Sequence, residues 1–367
     1  MILLGLRYAL RERTRSALTA AGVACAVVLT VFLGGVYRGA LRGSLGYVER
    51  AGADVWVARA GTWSLLRSGG VLPGSARKRL EAQPGVVWAE PILTGLLSAR
   101  VDGEPHTLLV IGLADGARAG VPRVMAAGTP VPRPGEIVVD RAFARRARLA
   151  LGASLDLAGR RLRVTGISRE TNLLVTQYAF VSAADLRPLL GVGDVATFFL
   201  VRTAPGRANE VARWLGHARE IAVYTRGEFL ENNLREVSAG FLPVLWAVAA
   251  LGLAAGGTVV ALMTYAAVLE KRADYALLAA LGGGGARRCA VLMEQALSAA
   301  LAGGVAGLAA LAALERLLPA VVPEIEIVVG ARLALAALAG AVGMAALGAS
   351  VPARLAARVP PMEALRR

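Results

Sequence analysis

Leu269-Glu270-Lys271-Arg272-Ala273-Asp274-Tyr275-Ala276-Leu277-Leu278-Ala279-Ala280-Leu281-Gly282-Gly283-Gly284-Gly285-Ala286-Arg287-Arg288-Cys289 is a charged island between two long apolar runs. Upstream, Phe241 to Leu269 holds no charged residue, and downstream Gln295 to Leu314 holds none either. About 20 apolar residues cross a bilayer core as a helix, so either flank is long enough for a span. The island, residues 270–288, is then the turn between spans 241–269 and 289–316, held at one membrane surface. Anything that drives the protein from outside the membrane can push here.

Composition agrees with that reading. Of 367 residues, 56% are hydrophobic, and the mean hydropathy of +0.56 is too high for an ordinary soluble chain. The net charge of +15, from 41 basic against 26 acidic residues, accompanies apolar spans, which favours a membrane explanation over nucleic acid. Cys25 and Cys289 border or lie within apolar runs and read as packing residues rather than a redox pair. His106 and His217 lie far apart with no second ligand at metal spacing.

Further from the island the pattern repeats. Residues 1–16 are basic and 17–37 uncharged. That apolar run exceeds a signal-peptide core of roughly 7–15 residues, so it reads as a retained first span. Residues 332–353 form the fourth span, after a loop at 317–331 that contains Glu324 and Glu326, and a basic tail at 354–367. The N-terminus, the island and the tail hold four basic residues each. Basic short segments stay in the cytoplasm, so four spans place both termini and the island there and put residues 38–240 outside.

That long segment has the composition of an α/β domain. Strands are expected at Ala53–Ala58, Val86–Trp88, Leu108–Ile111, Glu136–Val139, Tyr178–Val181, Thr197–Val201 and Ile221–Tyr224. Helices are expected at Ser75–Gln83, with Ser75 as cap, and at Phe143–Leu149, Ala183–Leu190 and Asn209–His217. Leu155–Leu157 and Arg161–Val164 alternate around Ala158-Gly159 as a hairpin. At the ends, Leu41, Leu45 and Val48, and Leu230, Leu234, Val237 and Phe241, fall at helical spacing. These helices either form a two-helix stalk or pack on the domain. Gly39, Gly43 and Gly46 weaken the first of them.

The segment contains no GxSxG, HExxH or paired His and Cys. The glycine run is not a nucleotide loop either, because a Walker motif needs a Lys followed by Ser or Thr. Lys78 and Lys271 are the only lysines, and each is followed by Arg. The chain is therefore expected to be non-catalytic and to hold no cofactor or metal.

Glu270 to Gly282 resembles the ERRREIGLLRALGA signature of the MacB/FtsX permease superfamily, in which an acidic residue follows in the next span, as Glu294 does here. Val351-Pro352-Ala353-Arg354-Leu355-Ala356-Ala357-Arg358-Val359-Pro360-Pro361-Met362-Glu363-Ala364-Leu365-Arg366 resembles the PARRAARLDPVEALR ending of the same family. Gly52 to Val57 together with Gly61-Thr62-Trp63 resembles the DevC-like exporter permeases. Gly282 to Gly285 departs from the family, which continues after a single LGA with Ser or Thr and arginines. The resemblance implies an α-helical membrane protein with four transmembrane helices plus an extracytoplasmic α/β (MacB-like periplasmic core) domain, in a bacterial cytoplasmic (inner) membrane.

It further implies an ABC transporter permease subunit that transmits motion from a separate cytoplasmic ATPase, present in two copies and carrying the ATP and Mg. A second permease copy and a membrane-fusion adaptor are further partners it allows. Export or extraction of a substrate is the expected task; a FtsX-like regulator of a cell-wall hydrolase and a lipoprotein-releasing permease are the alternatives. Within the island, acidic residues at the start and Leu277, Leu278 and Leu281 on one side suit a short amphipathic helix along the membrane, ended by the glycines. The expected ATPase contact comprises Glu270, Lys271, Arg272, Asp274, Leu277, Leu278, Leu281 and Gly282.

Overall fold

The computed structural model describes residues 13–67, 69–172, 176–270, 276, 284–321 and 327–358. The chain divides into two compact units. One is helical and comprises residues 1–37, 242–317 and 327–367, and the other comprises 38–241 with 318–326.

The second unit is an α/β domain. It uses the end of helix α1 (Arg13–Arg50), then β1 (Val55–Arg59), β2 (Leu72–Pro73), α2 (Ala76–Glu81), β3 (Val86–Val101), β4 (Glu104–Leu113), β5 (Met125–Gly128), β6 (Glu136–Asp140) and α3 (Arg141–Arg146). There follow β7 (Ser154–Leu157), β8 (Arg160–Ser168), β9 (Gln177–Ser182), α4 (Ala183–Leu190), β10 (Val195–Ala196), β11 (Phe198–Thr203), α5 (Ala208–Leu215), β12 (Ile221–Thr225) and the start of α6 (Arg226–Glu270).

Ten strands form one mixed sheet in the order β12-β1-β11-β3-β4-β9-β6-β8-β5, with β7 pairing both β3 and β8. The pairs β4–β9 and β6–β8 are parallel and the others antiparallel. Because β7 joins β8 back to β3, the path β3-β4-β9-β6-β8-β7 closes on itself as a small barrel. Leu108, Val110, Ile137, Val139, Leu155, Leu157, Leu162, Val164 and Phe143 of α3 fill a common core there. The remaining strands make a two-faced sheet, as the period of two requires. Val55, Val57, Phe199 and Val201 pack with Leu80 of α2 and Val211 and Leu215 of α5. Trp56, Phe198 and Leu200 share a second core with Tyr47 and Val48 of α1 and Phe229 of α6.

The two end helices therefore supply part of the domain's own core. Gly43 has a reason within that packing: a Cβ there would collide with the backbone carbonyl of Asn172. On the domain part of α6, residues 226–241, the buried residues are Phe229, Asn233 and Val237. Of the apolar stripe expected at Leu230, Leu234, Val237 and Phe241, Val237 is buried and Leu230 packs partly buried on the domain core, while Leu234 is exposed and Phe229 and Asn233 take the inner face. Ser75 is not a side-chain cap: its backbone is already helical, so the hydroxyl does not reach back to an amide, and it makes no capping bond. Asp140 and Ser182, both extended, cap α3 and α4 through the amides of Ala142 and Ala184. Helix α3 stops at Arg146, short of the expected Leu149, and Arg148 takes a positive φ of 50°.

The helical unit contains α1 up to Tyr37, α6 from Leu242, α7 (Gly285–Val321) up to Leu317, and α8 (Ala331–Ala357). All four helices are long and apolar enough to cross a membrane. Val23, Val27 and Val31 of α1, Val260 of α6, Ala296 and Ala300 of α7, and Ala341, Met344 and Ala345 of α8 form the shared core. Small residues bring the backbones together, as is usual between spans. A Cβ on Gly307 would sit 2.8 Å from the Ala24 carbonyl, and one on Gly348 would sit 2.7 Å from the Gly257 carbonyl. Cys289 packs beside Leu292 as a small core residue, but Cys25 is exposed on α1.

Candidate coupling site

Of the residues expected to meet an ATPase, the structure describes Glu270. Lys271, Arg272, Asp274, Leu277, Leu278, Leu281 and Gly282 lie outside the described residues. Within the island Ala276 is described and fully buried. What the structure does show is how the chain is held on either side of it.

On the upstream side, the last described residue of α6 is Glu270, whose carboxylate accepts a hydrogen bond from the guanidinium of Arg15 at 3.0 Å. Arg15 lies on α1, so this pair ties α6 to α1. Glu270 is 70% exposed; such pairs contribute at most about 1 kcal/mol, and the contact fixes position more than it stabilises.

The downstream side is built more firmly. Arg288, in the first turn of α7, is 7% exposed. Its guanidinium donates to the carbonyls of Ala356 at 3.1 Å and Ala357 at 2.9 Å, the last residues of α8. The last carbonyls of a helix lie beyond its regular i to i+4 ladder, and a cation suits the negative end of the helix dipole. Gly285 allows this approach, since a Cβ there would lie 3.0 Å from the Ala357 carbonyl. Part of the glycine run is thus a packing requirement between α7 and α8. Beneath the clamp Val268, Leu292, Ala353 and Ala356 form a small buried cluster.

Six residues after Arg288 on α7, Glu294 has a buried carboxylate oxygen with no hydrogen-bond partner among the described residues. Nearby, Arg15, Ser16, Thr19, Thr264 and Gln295 line a cavity of about 20 Å³, which is room for one water. The histidines play no part: His106 stacks edge-on against Phe143 at 5.4 Å, and His217 lies beside the Trp214 carbonyl. In the α/β domain an open groove of about 980 Å³ lies between the Thr129–Pro134 loop and the β7–β8 side of the barrel. Among its charged residues Asp115, Arg133, Glu136 and Arg163, the last two pair with each other at 3.2 Å. The backbone amide of Arg133 and the Arg163 guanidinium hold the Glu136 carboxyl below the usual range.

The clamps on either side of the island join residues 255 and 68 to 69 positions apart. The available signal was a basic residue close to the edge of an apolar run.

Four apolar helices with a mixed-sheet α/β domain inserted after the first define a class of permease, and comparison with known proteins gives its family. The model of the MacB-like periplasmic core domain matches residues 16–215. The chain belongs to this family and is a MacB-like ABC transporter permease. It is 26% identical over 331 residues to uncharacterised ABC transporter permeases from two strains of Mycobacterium tuberculosis, covering 86% of each chain. Among solved structures it is similar to the periplasmic region of MacB from Actinobacillus actinomycetemcomitans, with 11% identity and a TM-score of 0.40 over 49% of this chain and 92% of that one. It is also similar to the extracellular domain of the noncanonic ABC-type transporter YknZ from Gram-positive bacteria, with 14% identity and a TM-score of 0.37 over 47% and 99%.

Proposed function

We propose that this chain is a non-catalytic membrane subunit that transmits ATP-driven motion from a separate cytoplasmic ATPase to its α/β domain on the other side of a bacterial inner membrane. The work done is export or extraction of a substrate, with two ATPase copies and a second permease copy completing the assembly. The observation that carries this reading is helix α6. A single helix of 45 residues, with Pro243 inside it, holds Phe229, fully buried in the domain core, and Glu270, paired with Arg15 beside the island. Displacement of its island end need not be absorbed by a loop. The basic N-terminus, island and tail support the cytoplasmic assignment. The island supplies the receiving surface: Leu277, Leu278 and Leu281 dock on the ATPase, with Glu270, Lys271, Arg272, Asp274 and Gly282 around them.

Substitution within the island tests this. Burying a leucine side chain is worth about 1.5–3 kcal/mol, and a carboxylate in its place would be left unpaired in the contact. Leu278→Asp is therefore expected to weaken ATPase binding about tenfold or more for each 1.4 kcal/mol lost, with membrane insertion unchanged. The measurement is co-purification of the ATPase at matched permease levels. Retention equal to wild type would remove the island as the docking element.

A further inference from the structure

The turn between β1 and β2 has an arrangement of side chains that its sequence does not announce. Thr62, Ser64 and Leu65 are almost wholly buried, while Trp63 and Leu66 are 39% and 41% exposed. The exposure is built in, because each inward group is tied down. The Thr62 carbonyl accepts from the Tyr224 hydroxyl at 2.9 Å, and the Thr62 hydroxyl accepts from the Gly69 amide at 2.7 Å. The Ser64 hydroxyl accepts from the Arg67 amide at 3.2 Å. Leu65 enters the domain core and its amide donates to the Asn233 side chain at 3.0 Å. A turn fixed in this way keeps two large apolar side chains on the surface within four residues of each other.

The turn is fixed to a particular place on α6. Asn233 meets Leu65, and Glu236 pairs with Arg67 at 2.8 Å. Glu236 is the last charged residue before the uncharged run and lies five residues before Phe241, where the proposed span begins. At about 1.5 Å per helical residue that is roughly 8 Å along the axis. The polar layer on each side of a bilayer's hydrocarbon core is about 5–8 Å deep. Arg67 is 68% exposed while paired and lies 5.9 Å from the centre of the Trp63 ring. Tryptophan with an adjacent arginine is the pair of side chains that settles at a membrane–water interface. Exposed apolar residues continue down the same helix at Val244 and Trp246.

We propose that the Thr62–Arg67 turn is a membrane-interface anchor, with Trp63 and Leu66 seated at the headgroup and upper acyl level beside α6 and Arg67 facing lipid phosphate. The anchor would fix how deeply this end of α6 sits in the bilayer. The proposal rests on the reading of Phe241–Leu269 as a span.

Spin labels at single cysteines test it in the full chain, with Cys25→Ala and Cys289→Ala as background. The protein is reconstituted in nanodiscs of phosphatidylcholine and phosphatidylglycerol in equal parts. Labels are placed by Trp63→Cys, Leu66→Cys, Trp214→Cys and Trp246→Cys, all exposed positions. The readout is collision with oxygen, which concentrates in lipid, relative to a water-soluble nickel chelate. Labels at 63 and 66 are expected to show an oxygen-to-nickel ratio severalfold above that at 214 and below that at 246. If 63 and 66 match 214 while 246 reports lipid, the anchor is refuted and the span stands. If 246 also matches 214, the span reading fails and takes the anchor with it.

Discussion

Removing the Arg288 guanidinium should release the end of α8 from the start of α7. In Arg288→Ala two charge-assisted hydrogen bonds are lost, at 3.1 and 2.9 Å, to the terminal carbonyls of α8. Hydrogen bonds to charged groups contribute about 1.5–3 kcal/mol each, and a partly buried cation at a helix C-terminus about 0.3–2 kcal/mol more. Two effects reduce the sum. The buried charge itself is costly to hold, and Ala357 is only half-buried, so water can replace part of the contact. A net loss of about 2–3 kcal/mol follows, which is roughly a 30- to 150-fold rise in the detached population. Hydrogen–deuterium exchange of the full chain in nanodiscs reads this directly. Amides of residues 350–358 should exchange faster by that factor in Arg288→Ala, and by less in Arg288→Lys, which keeps the charge but not the two-pronged geometry. Residues 331–345 should be unchanged. Equal exchange of 350–358 in wild type and Arg288→Ala would show that the clamp does not hold α8.

Three further outcomes are expected. Phe229→Ala removes a fully buried ring stacked on Trp56 at 4.4 Å and should cost about 3–5 kcal/mol in urea unfolding followed by tryptophan fluorescence; a loss below about 1 kcal/mol would mean that α6 is not fastened to the domain core. Burial raises the Asp140 carboxyl above its ordinary value, against hydrogen bonds from Thr171 and the Ala142 amide. A folded-state value above the unfolded one adds stability that is present below the unfolded value and lost as pH rises through the folded one, so the advantage of wild type over Asp140→Asn should grow as pH falls toward the ordinary carboxylate value of about 4, and a constant or shrinking gap in denaturation midpoints refutes it. Ser98→Cys, at an exposed position of β3, should react with an impermeant thiol reagent in intact cells when Cys25 and Cys289 are replaced by Ala; labelling only after permeabilisation would reverse the proposed orientation.

Local signals carried much of the fold. Ala158 and Gly159, at φ of 50° and 89°, make the tight connection between β7 and β8 that the alternation on either side announces. Helix α4 occupies the expected residues because Ser182 caps it and Gly191, at φ 64°, ends it. Strand β3 was legible only at its start. Pro91 and Gly95 look like punctuation, yet the strand continues through both to Val101. Pro91 pairs with Phe199 of β11 on one side, while pairing with β4 begins only at Ile92. Its missing amide therefore faces a side with no ladder. The departure from the expected stripe on α6 has a different cause. Asn233 occupies the buried face because Leu65 and the Phe229 carbonyl satisfy its amide, and a scan for apolar periodicity counts such a residue as outward. The clamps at Glu270 and Arg288 were not legible because they depend on which helices meet, and no window along the chain contains both partners.

The closed path β3-β4-β9-β6-β8-β7 has a consequence for crowding. Many copies of a membrane protein share one plane, and a long unpaired strand edge would invite neighbours to zip together. In this domain the main ladder offers only β12, with five residues, and β5, with four, as its end strands. The first leads directly into α6, which leaves it little freedom to splay. A fold that seals most of its hydrogen-bonding rim into a ring can be packed densely against its own kind and remain separate molecules.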